Sequence, residues 1–108
     1  MTPQKTLNMA ADLIAERGWW NAETAAPIMA DNRVCAQLAI SEVAVRMSSG
    51  LKGPKFSRDS RALYDAAMEE LAYRIVGERL KRPFSTVVAW NDSRQSADEV
   101  LRVMRGQS

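Results

Sequence analysis

Glycine and proline act as breakers, and in this chain they fall between its apolar-periodic stretches, cutting it into pieces of helix length. The five glycines and four prolines of the 108 residues lie at Pro3, Gly18, Pro27, Gly50, Gly53, Pro54, Gly77, Pro83 and Gly106. Each marks a place where helix starts or stops more readily than it continues. Between Pro3 and Gly18, Leu7, Ala10, Ala11 and Ile14 recur at helical spacing, and Thr2 stands where an N-cap is needed, so a helix is expected over 3–17. Val34, Leu38, Ala39, Ile40, Val43 and Met47 form a second apolar stripe, read as a buried helix over 32–47 with Asp31 or Asn32 as its cap. Leu63, Ala67, Leu71 and Ile75, with Tyr64 and Met68 beside them, give the longest pattern, which starts at Asp59 or Ser60 and ends by Gly77.

The last third of the chain is mixed. Phe84, Val87, Val88 and Trp90 suit a short helix capped by Ser85 or Thr86. Thr86, Val87 and Val88 also suit a strand, but a strand with nothing to pair with, and the helix is favoured. Ser96 followed by Glu99 fits a capping box, and Val100, Leu101 and Met104 supply the inner face of a final helix before Gly106. The expectation is an all-α fold: one domain over 1–108, a compact bundle of four to five helices. Hydrophobic residues at 46% and charged residues at 26% are enough to build one core and too evenly balanced to force disorder.

Composition removes much chemistry. With no histidine and the single cysteine Cys35, an internal disulfide, a zinc cluster and every histidine-based triad are excluded. Carboxylates offer the only acid–base chemistry: Asp65, Glu69 and Glu70 lie on one helix, with Asp65 and Glu69 one turn apart, and such acids beside Arg61, Arg74 or Arg79 read as a solvated, ion-paired face. No enzyme activity, cofactor or metal is expected. No apolar run is long enough to span a bilayer, and the polar, periodic opening lacks the basic-then-apolar order of an export signal, so the expected setting is cytoplasmic with no membrane partner.

Two residue sets stand out as candidate binding sites. The first is basic: Lys52, Lys55 and Arg58, with Phe56 among them, and then Arg79, Lys81 and Arg82. The net charge of +2 is too small to argue for nucleic acid, but these residues offer a positive face to phosphates or to an acidic protein. Their structural alternative is an ordinary solvated loop and helix end. No tight turn of the helix-turn-helix kind separates the second and third helices. The second set is aromatic and polar: Trp19 and Trp20 after the first breaker, and Trp90, Asn91 and Asp92. An indole beside an amide and a carboxylate can hold a small molecule. It can equally be a core ring followed by a residue that bonds the local turn, and this structural reading is favoured.

Segments at both ends of the chain carry a resemblance. Val87-Val88-Ala89-Trp90-Asn91-Asp92 with Ser96-Ala97-Asp98-Glu99-Val100-Leu101, Ala10-Ala11-Asp12-Leu13-Ile14 leading to Arg17-Gly18-Trp19, and Val34-Cys35-Ala36 together resemble a small family of bacterial and phage proteins classed only as a domain of unknown function. The resemblance implies a compact helical domain in a phage or accessory-gene setting and supplies no mechanism. The functional expectation is therefore a small non-enzymatic module that binds another protein through its basic loop region and an adjacent aromatic surface, for instance an inhibitor of a host or defence protein. Nucleic-acid binding by a basic loop face and small-molecule binding near Trp90 are the alternatives. The six methionines leave a homodimer open as well.

Overall fold

A computed structural model describes residues 2–21, 33–49 and 58–107. Five helices account for most of them: α1 (Pro3–Arg17), α2 (Ala36–Ser49), α3 (Arg58–Val76), α4 (Phe84–Ser93) and α5 (Ala97–Met104). The described chain is an all-α bundle with no strand, and only a single backbone bridge joins Trp19 to Val34.

The helix ends follow from local chemistry. Thr2 Oγ1 accepts from the Lys5 N–H at 3.1 Å, and Pro3 takes the first turn, where no N–H is required. Ser96 Oγ accepts from the Glu99 N–H at 3.4 Å, but the Glu99 carboxylate returns to the N–H of Gln95, one residue earlier than a capping box places it. α2 begins at Ala36, later than the stripe predicts, because the backbone of Val34 is engaged elsewhere. Its N–H donates to Gly18 O and its C=O accepts from Trp20 N–H, both at 3.0 Å. Cys35 becomes the cap, its sulfur accepting from the Leu38 N–H at 3.4 Å. The Asp31 or Asn32 cap lies outside the described residues. α4 starts at Phe84, with Pro83 in the cap position and no side-chain cap, so neither Ser85 nor Thr86 caps it.

α1, α2 and α3 pack on one another, α4 lies across α2 and α3, and α5 rests on α1 and α3. Leu7, Ile14, Ile40, Met68, Leu71 and Met104 are the largest fully buried side chains, while Ala10, Ala11, Ala39, Ala67 and Ala72 are equally buried. Small residues on all three long helices leave room for close approach of their backbones. The C-terminal carbonyls of α5 are closed from outside the helix. Arg74 donates to Val103 O and Met104 O, and Gln4 Nε2 donates to Met104 O at 3.0 Å.

Gly18 ends α1 at φ 98° and ψ 147°, a region that is essentially glycine's own. A Cβ there would also stand 2.9 Å from Arg33 Cγ. Gly18→Ala is expected to lower stability by about 1–3 kcal/mol, read as a shift of the denaturant midpoint at constant slope. Gly77→Ala, at φ 77° with nothing within 4 Å of the added Cβ, carries the backbone strain alone and should cost about 1 kcal/mol. Equal effects at the two glycines would show that the approach of Arg33 to Gly18 is not a constraint.

Candidate functional site

The aromatic set comes together as an internal clasp. Trp90 is in the core, and Asn91, on the last turn of α4, is 1% exposed. Asn91 Oδ1 accepts from the Trp19 indole N–H at 2.8 Å and from the Ala36 N–H at 3.0 Å, while its Nδ2 donates to Trp20 O at 3.1 Å. One amide thus joins the exit of α1, the first N–H of α2 and the end of α4. The fully buried Asn21 completes the arrangement by donating to the carbonyls of Asn91, Asp92 and Arg94, which are among the C-terminal acceptors a helix leaves open. Trp20 is half-buried, and its indole nitrogen has no partner among the described residues. Sequence reading missed Asn21. A polar residue after two tryptophans carries no periodic signal, and its partners lie about seventy positions away.

A concavity lies elsewhere among the described residues. The linker after Gly77 folds back along α3, where Arg79 reaches Glu70 at 3.3 Å and stacks 4.2 Å over the Tyr73 ring. Between this linker, α3 and α2 lies a cleft of about 810 Å³. Gln37 and Ser41 form its α2 wall, and Arg61, Tyr64, Asp65, Met68 and Glu69 line the α3 side. The linker and the start of α4 contribute Arg79 to Phe84. Three of the basic candidates, Arg79, Lys81 and Arg82, therefore share one space with Arg61. Arg58 is exposed at the start of α3, outside the cleft lining. Lys52, Lys55 and Phe56 lie outside the described residues. Trp19, Trp20, Trp90, Asn91 and Asp92 do not line the cleft.

The acidic and phenolic groups that line the cleft have partners. Its two carboxylates are engaged, Asp65 by Arg61 at 3.2 Å and Glu69 by Arg79 at 3.9 Å. Tyr64 accepts from Gln37 Nε2 at 3.1 Å. Burial pushes its phenol above the ordinary range, with a further push from the Asp65 charge against the opposing pull of Gln37 and Arg61, so the ring presents a neutral hydroxyl. Burial likewise raises the Cys35 thiol, which stays protonated and serves as a cap. Among the described residues no group of three or more cysteines or carboxylates could hold a metal ion. Phe84 is 54% exposed at the edge of the cleft, a large apolar ring left in solvent directly after the basic linker.

The model of a family described as "Family of unknown function (DUF6197)" matches residues 1–106, both terminal segments and the whole of the middle included. The chain belongs to DUF6197. The matched stretch of the DUF6197 chain takes in the residues of both the clasp and the cleft. No curated protein and no solved structure matches it significantly. Gln37, Ser41, Tyr64, Met68, Leu80 and Phe84 are among the site residues of this DUF6197 chain that sequence reading did not assign. Arg61, Tyr64, Asp65 and Met68 do share a face by their spacing of three and four, but only the folded-back linker turns that face into a cleft.

Proposed function

We propose that this DUF6197 chain is a non-enzymatic protein-interaction module that receives part of a partner protein in the cleft between α2, α3 and the α3–α4 linker. The observation that carries the reading is Phe84, an exposed aromatic ring at the mouth of a concave, partly apolar space. Aromatic anchors at the centre of such surfaces dominate binding energy. Nucleic acid is the less favoured partner, because Asp65 and Glu69 put carboxylates in the path of a phosphate chain. Small-molecule binding at Trp90 has less support, since Trp90 is core and both polar atoms of the Asn91 amide are engaged. An inhibitor of a host or defence protein, carried by a phage and acting in the cytoplasm, is one form such a module takes.

The test uses the partner captured from a lysate of the encoding organism and then purified. Phe84→Ala should leave the circular dichroism and denaturant midpoint nearly unchanged, because the ring is mostly solvated, and should weaken the partner's Kd by roughly 30-fold, the equivalent of about 2 kcal/mol for an anchor residue. A partner that binds the native and Phe84→Ala proteins equally would remove the cleft from the interface.

A further inference from the structure

The charges that line the cleft do not cancel. Four cations, Arg61, Arg79, Lys81 and Arg82, face two carboxylates, Asp65 and Glu69, leaving a surplus of two positive charges. Geometry says where the surplus sits. Arg61 is held by Asp65, and Arg79 by Glu69 and Glu70, whereas Lys81 and Arg82 are exposed and form no ion pair among the described residues. They stand just before the N-terminus of α4, whose cap position is Pro83 with no side chain to bond the first N–H groups. The positive end of that helix adds to the field of the two cations.

Beside this electropositive rim the cleft is partly apolar, with Tyr64, Met68, Leu80 and Phe84 among its lining, and its far wall on α2 is polar through Gln37 and Ser41. A space of about 810 Å³ falls within the range of sites that enclose a drug-sized ligand, which is the bulk of roughly three to five residues and not of a folded domain. The complement to this combination is a short chain that has one bulky apolar side chain for the floor, backbone amides for the α2 wall, and two carboxylates for the rim. A polyphosphate chain matches the rim but neither the floor nor the two internal carboxylates.

Resting on the reading of the cleft as the interaction site, we infer that its occupant is an acidic linear segment of the partner protein, with an aromatic or large aliphatic residue seated between Tyr64, Leu80 and Phe84 and two Asp or Glu residues within about four positions of it, paired with Lys81 and Arg82. The rim charges steer the encounter and the apolar anchor holds the complex. Association should therefore slow as salt rises, and dissociation should depend on Phe84.

The experiment is a selection of random dodecapeptides displayed on phage against the intact protein, followed by titration of the enriched peptides with native protein, Phe84→Ala, and the double variant Lys81→Glu with Arg82→Glu. Each variant is checked first for native circular dichroism. The inference expects enriched peptides that pair a large apolar residue with two nearby acids, bind 10- to 100-fold more weakly to the double variant, mainly through a slower on-rate, and lose affinity between 50 and 300 mM salt, all roughly estimated for charge pairs at a rim. Peptides that lose binding to Phe84→Ala but bind the double variant unchanged would overturn the acidic-segment inference and keep the cleft. Peptides indifferent to all three substitutions would overturn both. No enrichment, or tighter binding of a fluorescent single-stranded 20-mer oligonucleotide than of any peptide, would overturn the inference alone and leave the cleft to the test with the native partner.

Discussion

Asn91→Ala should cost about 3–5 kcal/mol of folding stability, the larger of the two greatest losses expected from a single substitution here. The side chain is 1% exposed and makes three hydrogen bonds, to the Trp19 indole, the Ala36 N–H and the Trp20 carbonyl. Truncation leaves three groups without partners in a region from which water is largely excluded, and each such group costs about 1–3 kcal/mol. Against a total stability of about 5–15 kcal/mol, the loss is large enough to read from urea denaturation. Near-ultraviolet circular dichroism should change with it, because Trp19 and Trp20 lose their tether. Asn91→Asp keeps both acceptor bonds but sets a buried carboxylate oxygen against the Trp20 carbonyl, and it should be destabilising as well. A loss below about 1 kcal/mol for Asn91→Ala would mean that the clasp is an incidental contact.

The clasp also shows where sequence reading stops. An asparagine after a tryptophan near Ser96 was expected to bond the local turn, because Asn does so by short-range geometry. It bonds instead to groups 55, 71 and 72 positions away, and no local pattern encodes such pairings. Helix existence was legible for the opposite reason. Thr2 with Pro3, Gly18, Gly77 and Ser96 act within one turn of themselves, so α1, the end of α3 and the start of α5 fall where these residues put them. The cleft was half legible. Arg79, Lys81 and Arg82 announced themselves as a cluster, but their meeting with Arg61 and Tyr64 depends on a linker that reverses along α3. That reversal is a tertiary event, stabilised in part by the contact of Arg79 with Tyr73.

The stripe on α2 was read correctly in period and wrongly in two of its members, and this sets the second large prediction. Hydropathy gives Leu38 and Met47 more weight than any alanine, yet they are 37% and 46% exposed, while Ala36, Ala39, Ile40 and Ala44 are fully buried and Val43 nearly so. The buried residues still follow the three-and-four spacing of one helix face, but that face is rich in alanine because α2 meets α1 and α3 through their own small residues, Ala10, Ala11, Ala67 and Ala72 among them. Bulky side chains at 38 and 47 fall outside this contact. Ile40→Ala should then cost about 2–5 kcal/mol, combining lost transfer energy with a cavity that closely packed alanines cannot fill by shifting. Leu38→Ala, two residues along the same helix and removing a side chain of the same atomic composition, should cost less than about 1 kcal/mol. Urea denaturation of the two variants side by side decides the matter, since helix propensity favours alanine in both and differs between leucine and isoleucine by well under about 0.7 kcal/mol. Equal losses would return Leu38 to the core and shift the buried face of α2 toward the one that hydropathy alone predicts.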